Sequence, residues 1–287
     1  IPLMNPALYF QDNPDFKKFY KSKINNLNKL DGLLAISKSS ALEAKKYLDF
    51  DNVKVFNISS ACDKKIFSTM NSFDQTKNSI DFSLISPFIL YSGASDPRKN
   101  VQGLLKAFSQ LPVELNQYKL VLVGKLLIPE IQLIDNWVKL FKIDSKKVIK
   151  TGYVSDAELG DLYRQCSLFV FPSFHEGFGL PILEAMSCGA PVIGSNCTSV
   201  PEVINLENAM FDPYDIEQIT KLIVKALTNS DFLNDLKKNA DIQSKKFSWM
   251  RTVGSAITAC ETLVGSSSKK TTIDNWSSLT NYNLYQF

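Results

Sequence analysis

The residues best suited to chemistry lie in one run, Pro172-Ser173-Phe174-His175-Glu176-Gly177-Phe178-Gly179-Leu180-Pro181-Ile182-Leu183-Glu184. It holds two carboxylates, two glycines and the only histidine of the chain. Gly177 and Gly179 remove side chains where a helix begins, and Pro181 suits the first helical turn, where its missing N–H costs nothing. Backbone N–H groups at such a start can bind anionic oxygen, and the helix dipole adds to the attraction. A diphosphate or a sugar hydroxyl fits this chemistry. Glu184, one turn into the helix, can accept from vicinal ribose hydroxyls, and Glu176, ahead of the glycines, would face a sugar. No third glycine follows, so the dinucleotide fingerprint is incomplete.

Three other loops carry polar chemistry. Gly93-Ala94-Ser95-Asp96-Pro97-Arg98-Lys99-Asn100 sets two cations beside backbone N–H groups, with Asn100 placed to cap a helix from Val101. The others are Gly124-Lys125 and Thr151-Gly152-Tyr153-Val154-Ser155. Taken singly, each residue also has a plain structural reading. Glu184 suits a helix start, Glu176 a solvated loop, His175 a packed loop, Arg98 and Lys99 a solvated pair, Tyr153 a core and Gly124 a turn.

Such loops need a scaffold that brings them to one edge. After Pro87 the sequence predicts strands at 88–91, 120–123, 148–150, 168–171 and 192–193. Helices are predicted at 101–111, 129–141, 156–165 and 180–188, with further helices to about residue 263. Short strands separated by longer helices demand parallel pairing through right-handed crossovers, hence a doubly wound α/β sheet. Ligands of such sheets bind beyond the carboxyl ends of the strands, where all four loops fall. Upstream, Phe16, Phe19, Tyr20, Ile24, Leu27 and Leu30 predict an amphipathic helix from Pro14. Strand 33–36, a helix from the Ser37–Ser40 turn to Tyr47 and strand 53–56 form a βαβ unit. Residues 71–81 are polar and predict a linker, and residues 265–287 form a Ser, Thr and Asn rich tail.

Composition narrows the function. A chain of 287 residues with 45% hydrophobic and 21% charged residues buries a substantial core, enough for about two domains. The net charge of +3 is too small for a nucleic-acid surface built on many phosphate contacts. One histidine excludes zinc sites with two or more His ligands. Cys62, Cys166, Cys188, Cys197 and Cys260 are odd in number and form no C-x-x-C pair, which predicts buried thiols in a reducing compartment. No apolar run reaches the roughly 18 residues of a spanning helix. The sequence opens on Ile1 and Pro2, so a further piece of the native chain is expected upstream.

The run from Phe171 to Pro191, with Glu176 and Glu184 separated by seven residues and followed by Ala185-Met186-Ser187-Cys188-Gly189-Ala190-Pro191-Val192, closely resembles the donor-binding signature of family 4 retaining glycosyltransferases of the GT-B fold. The resemblance covers most of residues 1–265. The opening segment through Tyr9 and the 96–100 loop resemble the mannosyltransferase branch that builds bacterial surface polysaccharides. The resemblance implies a remnant of the N-terminal acceptor domain at 1–70, a linker at 71–86 and a Rossmann-like nucleotide-sugar-binding domain at 87–247. A terminal helix at 248–265 would return to the N-terminal domain ahead of a polar tail at 266–287.

By the same resemblance Arg98 and Lys99 neutralise the donor diphosphate, Val154 backbone atoms meet the base and Glu184 holds the ribose. Glu176, with the amides of Phe178, Gly179 and Leu180, holds sugar and phosphate. Gly93, Ala94, Gly124, Tyr153, His175 and Gly177 complete the expected donor site. Members often carry Arg where this chain has Ala94, so phosphate charge must come from Arg98 or elsewhere. The implied substrate is GDP-mannose or a UDP-hexose, with no resident cofactor or metal. The implied partners are a glycan or lipid-linked acceptor and the N-terminal domain of the parent chain, without nucleic acid. The implied location is cytoplasmic, with peripheral association at the inner membrane face left open. Most of the acceptor half is missing from the sequence, so the chain alone is expected to bind donor and transfer little sugar. A GT-B sugar-nucleotide epimerase, needing further acid/base groups beside Glu176 and His175, and a non-catalytic nucleotide-sugar-binding module remain as alternatives.

Overall fold

The computed structural model describes residues 2–10, 13–48, 53–70, 81–93 and 96–266. Ala94, most of the expected linker and nearly all of the polar tail lie outside the described residues.

The chain begins with α1 (Pro6–Phe10) and α2 (Pro14–Asn25). A two-stranded parallel unit follows, in which α3 (Lys38–Tyr47) joins β1 (Gly32–Ala35) to β2 (Lys54–Asn57). The Asn13 side chain caps α2 by accepting from the Phe16 N–H at 2.9 Å, and Ser37 caps α3 by accepting from Ser40 at 2.9 Å. The apolar stripe of α2 is not buried as its period predicts: Phe16 and Phe19 are exposed, and no residue of the helix is fully buried. Its aromatic side chains meet α1, where Phe10 lies against Phe16 and Tyr20.

The short α4 (Phe82–Ile85) occupies the end of the expected linker and buries Phe82 and Ile85 against the main core. The main sheet then takes β3 (Phe88–Ser92), β4 (Lys119–Val123), β5 (Val148–Gly152), β6 (Leu168–Phe171), β7 (Val192–Ser195) and β8 (Met210–Phe211). Its order is β5-β4-β3-β6-β7-β8, and every pair is parallel. Crossover helices are α5 (Val101–Ser109), α6 (Ile128–Leu140), α7 (Asp156–Gln165), α8 (Leu180–Ser187) and α9 (Val200–Ile204). After β8 come α10 (Ile216–Thr228), α11 (Ser230–Ser244) and α12 (Trp249–Ser266).

The apolar runs of β3, β4 and β6 are buried, as strands covered by helices on both faces must be. Helix α5 packs against both α6 and α10, while α8 packs against α7, α9 and α11. The chain thus winds outward from β3 to β5, crosses back to β6 and winds outward the other way. The winding direction reverses between β3 and β6, where Ile89 pairs with Leu168 and Leu90 with Phe169. Crevices for ligands open beyond the carboxyl ends of strands at such a reversal. The two-residue β8 is the strand the sequence does not announce, because two residues carry no period.

Helix α12 packs on the β1–β2 unit, with Leu263 so close to Gly32 that a Cβ there would sit 2.8 Å from its Cδ1. Cys62, Cys166 and Cys188 are buried as expected, whereas Cys197 is half-buried and Cys260 exposed. No helix among the described residues is long and apolar enough to cross a membrane.

Candidate donor-binding site

Two loops flank the reversal point and are sewn together by their backbones. The Asn100 side chain accepts from the Gly103 N–H at 3.1 Å, capping α5, and donates to the carbonyls of Pro172 at 3.2 Å and Pro213 at 2.8 Å. The Phe174 N–H donates to the Arg98 carbonyl at 2.7 Å. With the backbone so fixed, the Lys99 ammonium lies 2.7 Å from Glu176 Oε1 and 5.3 Å from the Phe171 ring centroid. Both side chains are largely buried, so the pair is screened far less than a surface ion pair.

Arg98 is placed differently. Its Nε donates to Asp96 Oδ1 and one terminal nitrogen to Asp96 Oδ2, both at 2.9 Å, the bidentate geometry that suits guanidinium. Its carbon lies 4.6 Å from the Tyr9 ring centroid, and its other terminal nitrogen is 3.4 Å from the Tyr9 hydroxyl. Lys99 and Glu176 therefore meet in the crevice, while the Arg98 fork serves the α1 contact.

Gly179 starts α8 with φ of 102°, a left-handed conformation that glycine adopts without strain, and its carbonyl accepts from Ile182 at 3.0 Å. Pro181 has no N–H and the Ile182 N–H is taken by Gly179, so within the first turn the Leu180 N–H is the donor this start offers at the crevice. Phe178 is buried edge-on against Phe247, which fixes the turn from behind, and Leu180 is partly exposed. Glu184 lies on the same helix, its Oε2 accepting from the Tyr163 hydroxyl at 3.3 Å, and Tyr163 in turn shares a 2.8 Å hydrogen bond with Ser92. Burial pushes the Glu184 carboxyl up to about 7; the Tyr163 hydrogen bond opposes this rise and the Asp156 charge adds to it.

The remaining expected residues line the same edge. The Gly93 N–H donates to the Val123 carbonyl at 2.8 Å and the Gly124 N–H to the Gly152 carbonyl at 3.1 Å, extending the ladders past the strand ends. Tyr153 is exposed and not core, and Val154 is half-buried against the core. His175 is 3% exposed: Nε2 is 3.0 Å from Glu43 Oε1 and Nδ1 bonds the Tyr9 hydroxyl. Its ring thus faces α1 and α3. The Ser40 hydroxyl donates to the Gly177 carbonyl at 2.9 Å, and a Cβ on Gly177 would come 3.3 Å from Ile36 Cδ1. Glu43 and Tyr163 carry no local pattern that marks them, while Tyr9 and Asp96 lie in segments the sequence singles out without a site role of their own. Among the described residues no three His, Cys, Asp or Glu side chains cluster to hold a metal ion.

Residues 72–243 match the family model described as glycosyl transferases group 1. The chain is 42% identical over 269 residues to the serotype-specific mannosyltransferase WbdA of Escherichia coli, covering 93% of this chain and 33% of that protein. It is 37% identical over 185 residues to O-antigen chain mannosyltransferase B of Escherichia coli, covering 61% of this chain and 46% of the relative. The chain spans about a third of the length of the WbdA relatives. Sucrose-phosphate synthase from Thermosynechococcus elongatus superposes with a TM-score of 0.75 at 21% identity, covering 91% of this chain and 66% of that one. Anabaena HepE, solved with UDP-glucose, gives 0.71 at 20% identity, covering 92% and 70%. These likenesses establish the GT-B fold.

Proposed function

The chain belongs to the glycosyl transferases group 1, and on that premise we propose that it binds a nucleotide diphosphate sugar and carries the donor side of a retaining mannosyl transfer to a glycan or lipid-linked acceptor. GDP-mannose is favoured over a UDP-hexose because WbdA and mannosyltransferase B are named for mannose. The observation that carries the reading is the buried Lys99–Glu176 pair at the reversal point, beside the open start of α8. A buried ammonium paired with a carboxylate can be shared with an incoming diphosphate, which leaves Glu176 to accept from sugar hydroxyls.

Departure of the nucleotide diphosphate breaks its bond to the anomeric carbon and builds negative charge on the phosphate oxygens. Lys99 and the Leu180 N–H at the start of α8 are held in advance where that charge grows, so they stabilise the transition state more than the ground state. Glu184 accepts from the ribose hydroxyls, and Gly93, Gly124, Tyr153 and Val154 line the nucleotide end. Among the described residues the His175 ring is engaged by Glu43 and Tyr9, which leaves Glu176 as the acid/base group toward the sugar and supports transfer over epimerisation.

Thermal shift against GDP-mannose, UDP-glucose and ADP-glucose tests the reading. A bound donor at 100 times its dissociation constant stabilises by about 2.7 kcal/mol. Stabilisation by GDP-mannose above the other two is expected, and no shift with any of them would overturn the proposal.

A further inference from the structure

Glu202 makes a contact that the donor reading does not use. Its carboxylate accepts from the Lys38 N–H at 2.8 Å and from the Ser39 N–H at 2.6 Å. These N–H groups belong to the first turn of α3, whose third such group is taken by Ser37. A helix start leaves these donors without intrahelical acceptors and favours an anion, so the carboxylate is well matched. The platform beneath Glu202 is stiff. Val200, Val203 and Ile204 are fully buried, and Asn239 holds the Ile204 carbonyl at 2.7 Å.

Both elements joined by Glu202 also grip the turn that carries Glu176. From α3, Ser40 donates to the Gly177 carbonyl and Glu43 meets His175. From the segment entering α9, Thr198 Oγ1 accepts from the Glu176 N–H at 2.9 Å and the Ser199 hydroxyl donates to the Glu176 carbonyl at 3.0 Å. The turn is thus held at the 175 side chain, at both backbone polar groups of 176 and at the carbonyl of 177. Two holders that move independently would pull this turn in different directions.

We propose that Glu202 is a positioning residue for Glu176: by tying the start of α3 to α9, it locks the two holders into one ring and fixes the carboxylate that faces the donor sugar. The proposal rests on the donor reading above, in which Glu176 contacts the sugar and not the nucleotide. Glu202 bonds the start of α3 and not Lys99; it acts on the backbone of the turn through α3 and α9. Its loss should therefore be felt by the sugar moiety selectively, which a general loosening of the fold would not produce.

Calorimetric titration of the 287-residue chain with GDP-mannose and with GDP, on wild type, Glu202→Ala and Glu176→Gln, tests this, with UDP-glucose and UDP replacing the pair if the thermal shifts favour uridine. Glu202→Ala is expected to weaken the nucleotide sugar about 5-fold and to leave the nucleoside diphosphate within about 2-fold. Glu176→Gln should show a larger loss of the same sign. Equal losses for both ligands in Glu202→Ala, or no loss, alongside a sugar-selective loss in Glu176→Gln, would overturn the positioning role while sparing the donor reading. Absence of a sugar-selective loss in Glu176→Gln would instead remove Glu176 from the sugar, and the positioning role with it. Should Glu202→Ala fail to fold, Glu202→Gln keeps one acceptor oxygen and is expected to give about a 3-fold selective loss. An unchanged ratio of the two affinities in that variant sinks the proposal.

Discussion

Glu176 and Glu184 sit at the two ends of one short loop and helix, yet their surroundings are opposite. Glu176 lies 2.7 Å from a buried ammonium, and its charge is compensated before any ligand arrives. Glu184 faces the Tyr163 hydroxyl and the burial that drives its carboxyl up to about 7. An ionised carboxylate beside a cation is ready to exchange partners with a diphosphate sugar. A half-protonated carboxyl beside neutral hydroxyls is ready to be ionised by ribose donors that reward the charge. On the donor reading, the same side chain suits two ligand parts because the scaffold sets a cation beside one carboxylate and a hydroxyl beside the other.

The largest effect should come from removing the compensation. Lys99→Ala takes the cation from the diphosphate and leaves the Glu176 carboxyl buried without its counter-ion. Charge-assisted hydrogen bonds are worth about 1.5–3 kcal/mol, and an orphaned buried charge costs more. A loss of roughly several hundred-fold in nucleoside diphosphate affinity is expected by calorimetry. Lys99→Ala,Glu176→Gln should recover part of it, and a double variant as weak as the single one would separate the pair.

At the other end, Glu184→Ala should weaken nucleoside diphosphate binding about 30-fold, the loss of charge-assisted bonds to two hydroxyls, with the fold retained. Unchanged affinity in the folded variant would return Glu184 to an ordinary helix residue. The pH dependence sharpens the contrast. Ribose hydroxyls donate to the ionised form, so with a carboxyl near 7 nucleotide-sugar affinity should be about 10-fold weaker at pH 6 than at pH 8. Both phosphates of a nucleotide sugar are esterified and do not titrate there. Unliganded stability should move oppositely. The folded carboxyl holds its proton more tightly than the unfolded one, so Glu184 favours the fold below the ordinary carboxylate range. That contribution fades as pH rises toward 7. In Glu184→Gln both trends should flatten; a slope that persists belongs to another group.

The contrast between the glutamates also marks what the sequence makes legible. The alternating pattern after Pro87 and the Phe171–Pro191 run locate the sheet, the loops and both carboxylates, because those signals are local. The state of each carboxylate is not local. Glu184 depends on Tyr163, a packed aromatic of a different helix, and Glu176 on Lys99 across the reversal point. The same holds for His175, whose partners Tyr9 and Glu43 stand 166 and 132 residues upstream. Periodicity identifies the apolar stripe on α2 without saying what covers it, and Phe16 and Phe19 are indeed left exposed.

The smallest effect is expected where the resemblance would place a large one, at Arg98. Its two forward donors are spent on Asp96, and its face lies on Tyr9. To reach a diphosphate the guanidinium would have to give up a bidentate pair and a cation–π contact. A phosphate contact returns bonds of the same kind, so the exchange yields little net affinity. Arg98→Ala keeps the backbone carbonyl that holds Phe174, and Lys99 should keep its place. The expected change in nucleoside diphosphate affinity is therefore below about 3-fold, with a loss of about 1 kcal/mol in stability as α1 loosens from the loop. Calorimetry on Arg98→Ala beside Lys99→Ala decides the matter. Losses of equal size would mean that Arg98 leaves Asp96 when donor arrives, and the two adjacent cations would then act as one site; a large gap between them keeps Lys99 as the cation at the phosphates and Arg98 as the clamp on α1.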